Sequence, residues 1–382
     1  MKRRLVIVTE IISPYRIPLF NALAQNPDVD LHVIFLGDTD PKLRQWQVYK
    51  QEINFSYQVL PSWRKRIGKY NALLNFGIQK ALEQSAPEVV LCGGYSYIAS
   101  WQALRWARRN RVRFLLWSES NLQDMRRRYR FVEFLKKQFL KRSDGFVVPG
   151  RSALEYLRAQ GIGESRISIA PNAVDNDLFA KAAESARRNA LALRRELALP
   201  DRYFLFVGRL VREKGIFELL SAYSNLSEQL RREIGFVFVG DGEARQELQS
   251  FGSSISPGNV RFVGFVQREQ LGAYYGLAAA LVLPTYTDTW GMVVNEAMAC
   301  GLPVIVSRAA GCAADLVHEN RNGLLVTTRD VHSLETAIGT LAQRRDLCEA
   351  MGACSAQHIQ SYSPEEWSAS IARTIQKVGE RA

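Results

Sequence analysis

The sequence lacks any long apolar run and any closely spaced pair of cysteines. None of its 382 residues lies in an apolar stretch approaching the roughly 18 residues of a membrane-spanning helix. The apolar run at residues 5–8 soon meets Glu10, so it is also too short for the core of a secretory signal peptide. Five cysteines without a Cys-x-x-Cys pair are typical of reduced thiols rather than of disulfides or a zinc site. We therefore expect a cytoplasmic protein.

The usual glycine-rich nucleotide motifs are also missing. No Gly-x-x-x-x-Gly-Lys-[Ser/Thr] sequence occurs, and the segment GDGEA at 240–244 is too short for a dinucleotide-binding fingerprint. The acids of DTD at 38–40 fit a solvated turn better than a metal site. None of these short patterns predicts the function.

Positive charge is concentrated in the first half of the chain. Through Asp175 there are 28 Lys and Arg against 15 Asp and Glu, a net charge of +13, whereas the remainder has 22 against 23, a net of −1. Such an excess attracts nucleic acid, a phospholipid surface or a phosphorylated substrate. Because no nucleic-acid-binding module is recognisable, we expect no nucleic-acid partner.

Short, continuous apolar runs alternate with helix-length segments along the whole chain. Unbroken runs of this kind predict parallel strands that are covered on both faces, and therefore two doubly wound α/β domains in tandem. The segment PNAVD at 171–175 interrupts the pattern, which predicts domains at 1–175 and 176–363. The strands are predicted at 5–8, 31–37, 88–94, 112–117, 145–150, 203–208, 235–240, 260–266, 280–284 and 303–307, and helices in the first half at 19–25, 72–84 and 101–109.

The stretch TYTDTWGMVVNEAMACGLPVIVS at 285–307 places Asp288 eight positions before Glu296. It follows a predicted strand, and a helix is predicted to begin at Gly291, so free backbone amides there favour a phosphate. Glu296, about one turn further on, could accept hydrogen bonds from ribose hydroxyls, and Asp288 could do so from a sugar. The alternative is an ordinary helix-capping Asp followed by a helix-surface Glu.

A second stretch, VGRLVREKG at 207–215, ends a predicted strand and presents Arg209 and Lys214. Two cations at the carboxyl end of a strand can neutralise the charge that grows on a diphosphate leaving group, without a metal ion. A solvated basic loop is the alternative interpretation.

In this order, VGRLVREKG, FVGDG, FVGFV, LPTYTDTWGMVVNEAMACGLPVI and NGLLV resemble the C-terminal half of the retaining glycosyltransferases of the GT-B fold, family 4. The resemblance implies two Rossmann-like domains that face a central cleft, a nucleotide-sugar donor, no cofactor and no metal. It also implies that the last helix, at about 364–382, packs back on the first domain.

Carried over by position, the resemblance implies a donor site in the second domain. Arg209 and Lys214 would hold the diphosphate, Glu296 would bind the ribose, and Asp288, where the family usually has a glutamate, would contact the transferred sugar. The amides of Trp290, Gly291, Met292 and Val293 would contact phosphate, and Phe265 and Val266 would lie near the base.

The first domain resembles the family more weakly. Tyr15 and Arg16 would lie on the acceptor side, at the carboxyl end of the first strand. Many relatives have a histidine near the donor sugar after a middle strand, and here that place is taken by Glu119. Glu119 and Asp288 are therefore the candidate catalytic residues, although Glu119 could instead be a polar cap on the next segment.

Two other functions stay open, a nucleotide-sugar epimerase of the same architecture and a non-catalytic binding protein. For the transferase, the basic first domain favours a lipid-linked or saccharide acceptor and an anionic membrane surface as partner.

The segment at 125–142 predicts a basic helix with Phe131 and Phe134 on one face and with Lys136 and Lys137 among its surface cations. A second cluster at 63–70 also mixes cations with aromatics. An ordinary domain helix with its apolar side in the core is the alternative.

Overall fold

The computed structural model describes residues 2–38, 45–67, 70–123, 130–256 and 258–379. The chain forms two compact units. One contains Met1–Leu122, Arg126–Ala173 and Pro364–Ala382, and the other contains Gln123–Met125 and Val174–Ser363. Each unit is built on its own parallel sheet, so the predicted pair of doubly wound α/β domains is confirmed.

The first unit is a seven-stranded parallel sheet with helices around it. Its strand order is β3-β2-β1-β6-β7-β8-β9, and the central strand β1 pairs with β2 on one side and β6 on the other. The run at 5–8 is at most 1% exposed, as expected for a strand covered on both faces. The elements are β1 (Arg3–Ile11), α1 (Ile17–Gln25), β2 (Val29–Gly37), β3 (Ser56–Val59), β4 (Ser62–Ile67), β5 (Tyr70–Asn75), α2 (Ile78–Ser85), β6 (Val89–Cys92), α3 (Ile98–Arg109), β7 (Arg113–Trp117), α4 (Arg130–Arg142), β8 (Gly145–Val148), α5 (Arg151–Ala159) and β9 (Ile167–Ile169).

The helix predicted at 72–84 is wrong in its first part. Residues up to Asn75 belong to β5, which pairs antiparallel with β4 as a hairpin beside the main sheet. The helix α2 begins only at Ile78, after Gly77 adopts a left-handed conformation at φ +85°. The cross-strand partner decides the structure of 72–75, and that contact is not visible in a local pattern of apolar residues.

The basic helix predicted at 125–142 is α4, although residues 125–129 lie outside the described residues. Phe131, Val132 and Phe134 are more than half exposed, whereas Phe139 and Leu140 are buried in the core. Lys136 is only 5% exposed and pairs with Glu133 at 2.5 Å, so the prediction that it is a surface cation is wrong. Its position on the inward face of the helix, next to the buried residues, explains the difference. In the second basic cluster, at 63–70, the side chains from 64 onward lie outside the described set.

The second unit repeats the architecture with the strand order β12-β11-β10-β13-β14-β15. Its strands coincide with the predicted runs, and the additional edge strand β15 covers part of the NGLLV motif. The elements are α6 (Asn176–Arg188), α7 (Ala190–Glu196), β10 (Tyr203–Val207), α8 (Ile216–Asn225), α9 (Glu228–Glu233), β11 (Gly235–Val239), α10 (Arg245–Ile255), β12 (Val260–Gly264), α11 (Arg268–Leu277), β13 (Ala280–Leu283), α12 (Met292–Ala299), β14 (Val304–Ser307), α13 (Ala313–Leu316), β15 (Gly323–Val326), α14 (Val331–Gln343) and α15 (Arg345–His358).

The last helix, α16 (Pro364–Gly379), belongs to the first unit and packs along α1. Trp367 is completely buried there, with its ring centroid 5.9 Å from that of Phe20 and 5.4 Å from that of Trp117. Ile371 and Ile375 continue the same buried face. The core of the first unit therefore contains side chains from both ends of the sequence.

Among the described residues, every helix is too short or too polar to cross a membrane.

Candidate active site

The loops after β10 and β13 meet at the carboxyl edge of the second sheet, where these two strands are neighbours. Lys214 Nζ lies 2.5 Å from Asp288 Oδ2, and the two side chains are only 15% and 20% exposed. Gly215, at φ +67°, lies so close to β13 that an added Cβ would be 2.1 Å from the carbonyl oxygen of Pro284. The close approach of the two backbones therefore brings Lys214 and Asp288 together.

Further hydrogen bonds fix the same two loops to each other. The carbonyl oxygen of Glu213 accepts from the amide of Tyr286 at 2.8 Å and from the hydroxyl of Thr285 at 3.2 Å. The hydroxyl of Tyr286 donates to Glu218 in α8, and the guanidinium of Arg329 lies 4.4 Å from the centroid of the Tyr286 ring. Tyr286 thus ties the loop that carries Asp288 to the helix that follows Lys214.

The helix α12 begins directly after this loop. It begins at Met292, one residue later than predicted, and Gly291 is its N-cap residue at φ +103°. Trp290 is buried, and its indole Nε1 donates to Asn295 Oδ1 at 2.8 Å, while Met292 and Val293 are half-buried. The first amides of a helix have no intrahelical acceptor, and they lie at the positive end of the helix dipole. This end of α12 is therefore suited to bind an anion.

Glu296, one turn into α12, has no exposed surface. Its Oε2 accepts a hydrogen bond from the hydroxyl of Tyr275 at 2.6 Å, and its Oε1 has no partner among the described residues. Burial raises the pKa of Glu296 to about 7, although the hydrogen bond from Tyr275 acts in the opposite direction. The interpretation of Glu296 as a helix-surface glutamate is therefore wrong. A buried carboxylate with an unpartnered oxygen is suited to a ligand that brings its own hydrogen-bond donors.

The remaining donor-side candidates of the second unit are exposed or half-buried. Arg209 is exposed and has no ion-pair partner within the described part of the chain. Phe265 is 41% exposed directly after β12, and Val266 is half-buried. The glycines of GDGEA have a packing role, because a Cβ on Gly240 would lie 1.9 Å from the carbonyl oxygen of Gly208. They allow the loops after β10 and β11 to approach each other.

The first unit contains a separate polar cluster at the carboxyl edge of its sheet. The guanidinium of Arg16 lies 4.1 Å from the centroid of the Trp117 ring and forms an ion pair with Glu119 Oε1. Asn172, which is buried, joins both partners: its Oδ1 accepts from Arg16 Nη1 at 2.9 Å, and its Nδ2 donates to Glu119 Oε1 at 3.1 Å. Tyr15 lies next to Arg16 in sequence and makes an edge contact with Trp46.

Asn172 was missed by the sequence analysis. Its segment, PNAVD, predicts only a domain boundary, and no local pattern shows that the Asn172 side chain reaches back to Arg16 and Glu119. The cluster leaves Glu119 Oε2 without a hydrogen-bond partner among the described residues, while Oε1 is fully engaged. Glu119 is thus a fixed, ion-paired carboxylate with one oxygen available to a ligand.

Two family models match the chain in succession. Glycosyltransferase Family 4 matches residues 19–178, and Glycosyl transferases group 1 matches residues 191–358. Together they cover both Rossmann-like units. The chain belongs to the family 4 glycosyltransferases of the GT-B fold.

Curated relatives of this family 4 chain agree with the assignment. The D-inositol 3-phosphate glycosyltransferase of Corynebacterium jeikeium is 32% identical over 213 residues, which are 53% of this chain and 49% of the relative. The chain thus spans about half the length of the curated relatives it matches.

Solved structures show the same fold over nearly the whole family 4 chain. HepE of Anabaena, in complex with UDP and glucose, has a TM-score of 0.75 at 16% identity and covers 98% of this chain and 99% of its own. A glycosyltransferase of Rickettsia africae has a TM-score of 0.77 at 14% identity, with full coverage of both chains. The GT-B fold expected from the sequence is therefore confirmed.

Among the residues that the structure describes, no three His, Cys, Asp or Glu side chains are grouped so that they could hold a metal ion.

Proposed function

We propose that this family 4 chain transfers a sugar from a nucleotide sugar to an acceptor hydroxyl, with retention of the anomeric configuration. The observation that carries the proposal is Glu296, a buried carboxylate with an unpartnered oxygen, one turn behind the N-terminus of α12. A ribose offers two neighbouring hydroxyls to such a carboxylate, and the diphosphate next to it suits the amides at the start of the helix. HepE, which shares the fold, binds UDP and glucose, so UDP-glucose is the first donor to test.

In the proposed reaction, the bond between the anomeric carbon and the diphosphate oxygen breaks, and its electron pair stays on the diphosphate. A new bond forms between the anomeric carbon and the acceptor oxygen, and the proton of the acceptor hydroxyl passes to the departing diphosphate. Lys214 and Arg209 would stabilise the charge that develops on the leaving group, without a metal ion. Lys214 is already held in the right loop by Asp288, and donor binding would replace part of that ion pair by a contact to phosphate.

Asp288 and Glu119 have different proposed roles. Asp288 would accept hydrogen bonds from hydroxyls of the transferred sugar, because it lies at the end of the loop that precedes the phosphate-binding amides. Glu119 would act on the acceptor side, where its Oε2 can accept a hydrogen bond from the attacking hydroxyl. The ion pair with Arg16 holds the Glu119 carboxylate in one orientation, with Oε2 left for the acceptor.

The proposed acceptor is lipid-linked or a saccharide, and the proposed location is the cytoplasm, on the inner face of the cytoplasmic membrane. Support comes from the charge of the first domain and from α4. Phe131, Val132 and Phe134 are 69%, 51% and 56% exposed on a helix that also carries exposed Lys137. Adjacent exposed apolar side chains beside cations are typical of surfaces that bind anionic membranes.

A donor and acceptor screen tests the proposal. Purified protein is incubated with UDP-, GDP- and ADP-sugars, and release of the free nucleotide is measured with and without candidate saccharide and lipid-linked acceptors. A transferase should release nucleotide in step with product formation only when an acceptor is present. Conversion of the donor to its epimer without any acceptor would favour the epimerase instead, and binding of the donor without either reaction would favour a non-catalytic role.

A further inference from the structure

An open groove of about 580 Å³ lies on α3, and the donor and acceptor residues discussed above are not among those that line it. Its apolar floor is formed by Ile98, Trp101 and Leu104. Ile98 is 56% exposed, so a large aliphatic side chain faces solvent at the start of α3. The indole Nε1 of Trp101 donates to the carbonyl oxygen of Tyr95 at 3.1 Å, so its ring is held in place.

Arginines line the other end of the same groove. Arg105, Arg108 and Arg109 of α3 are joined there by Arg142 from the end of α4. Arg108 donates to the carbonyl oxygen of Arg142 at 3.2 Å. Arg105, Arg109 and Arg142 are exposed and form no ion pair with any residue that the structure describes. Several like charges gathered without counter-charges favour an anionic ligand.

The groove is lined by α3 together with Arg142 at the end of α4. Trp101 contacts Phe139 with ring centroids 4.9 Å apart, and seven residues later along α3 Arg108 reaches the end of α4. One end of the surface is apolar and the other is cationic, and Ile98 and Arg105 are about 10 Å apart along the axis of α3.

We propose that this groove binds one anionic phospholipid of the membrane surface. The arginines would bind the phosphate, since a guanidinium forms paired hydrogen bonds with phosphate oxygens. The first carbons of the lipid chain would lie on Ile98 and Trp101. A free phosphate would leave the apolar floor in water, and a nucleic acid would need a row of cations rather than one cluster next to an apolar surface. The inference rests on the proposed membrane-linked function, because it names the contact that brings the enzyme to its acceptor.

Vesicle binding by charge-matched variants tests the groove. Full-length protein is sedimented with vesicles of phosphatidylglycerol and phosphatidylcholine, and with vesicles of phosphatidylcholine alone. The double variant Arg105→Gln/Arg109→Gln should bind the anionic vesicles roughly tenfold or more weakly than wild type. The control Lys80→Gln/Arg195→Gln removes the same charge at two exposed positions outside the groove and should bind as wild type does. Equal losses in the two variants would show a general charge effect and overturn the proposal.

The apolar end has its own test. Ile98→Ser should weaken binding to the anionic vesicles, because it removes the contact with the lipid chain. The extent to which added inorganic phosphate releases the protein from the vesicles should be unchanged. Normal vesicle binding by Ile98→Ser, with complete release by inorganic phosphate, would show a simple anion site and overturn the lipid assignment. Tighter binding of a single-stranded RNA than of vesicles would also overturn it. Thermal unfolding of each variant confirms that it is folded.

Sugar transfer by the wild type is measured separately, with a soluble acceptor. Its absence, together with normal binding to anionic vesicles, would count against the proposed function and not against the groove. Sugar transfer without any binding to anionic vesicles at low salt would count against the groove and not against the proposed function.

Discussion

The hydroxyl of Tyr275 donates a hydrogen bond of 2.6 Å to Oε2 of Glu296, inside the core of the second unit. Oε1 of the same carboxylate has no partner among the described residues, and burial raises its pKa to about 7. A carboxyl group with this pKa is partly protonated and partly ionised near neutral pH. Ligand binding, protonation and stability at this position are therefore coupled, and each can be measured.

Nucleotide affinity should rise with pH through about 7. Ribose hydroxyls would donate to the charged form of Glu296, so binding favours ionisation and should release a proton. Calorimetry in two buffers with different ionisation enthalpies measures that proton. With Glu296→Gln, the affinity for UDP should be lower and independent of pH between 6 and 8. An unchanged affinity in this variant would remove Glu296 from the nucleotide site.

The same glutamate should lower the stability of the protein at high pH. The folded pKa of about 7 lies above the ordinary 4.5, so the contribution of Glu296 to stability is fully present below 4.5 and is lost as the pH rises through 7. The difference between the two pKa values corresponds to about 3 kcal/mol. Relative to wild type, Glu296→Gln should therefore become more stable by up to this amount between pH 5 and pH 8. Chemical denaturation at both pH values measures it, and a constant difference would contradict the assignment.

Tyr275→Phe should move the midpoint of this pH dependence upward. The hydroxyl of Tyr275 stabilises the charged form of Glu296, so without it the carboxyl group should hold its proton to a higher pH. Nucleotide affinity measured from pH 6 to pH 9 shows the midpoint. A midpoint that stays in place would mean that burial alone sets the pKa.

Lys214→Ala should reduce turnover on the order of a hundredfold, because the leaving group would lose a fixed positive charge. Arg212→Ala is the matched control. Arg212 is another cation of the same loop, but it is exposed and pairs with Glu247 on the surface, so its loss should change turnover little. Steady-state kinetics of both variants decide between a role for Lys214 and a general effect of loop charge. We expect a comparable loss for Arg209→Ala.

Transfer should continue in the presence of EDTA, because Lys214 and Arg209 would supply the positive charge that a metal ion supplies elsewhere. The initial rate of transfer is measured before and after extensive chelation, and again after Mg²⁺ or Mn²⁺ is added back. A strict requirement for either ion would contradict the proposed role of the two cations.

Glu119→Gln should lose turnover while it keeps nucleotide affinity, since Glu119 lies in the first unit, outside the unit that carries the donor-side residues. The glutamine has nearly the same shape and can still accept from Arg16, so the fold should be retained. An active Glu119→Gln variant would make Glu119 a structural residue.

The strands of both sheets and the donor loops of the second unit could be predicted because their signals are local. The run at 203–207 and the stretch around Asp288 carry their own pattern of apolar residues and turn residues. What the sequence could not show depends on contacts between distant residues. The hairpin partner of β5, the inward position of Lys136 and the bond from Asn172 to Glu119 all belong to this class. Glu296 is bonded to Tyr275, a residue of another helix, and nothing in the sequence around Glu296 indicates that contact.

The position of α16 has a consequence for the order in which the protein can fold during synthesis. The first unit is made first, yet its core includes Trp367, which leaves the ribosome almost two hundred residues after β9. The second unit, by contrast, is one nearly continuous stretch of the chain and can complete its core earlier. The domain that is translated first is thus the last to be finished. Until α16 arrives, the place of Trp367 beside Phe20 and Trp117 is an open apolar surface on a nascent protein, which is where a chaperone would bind.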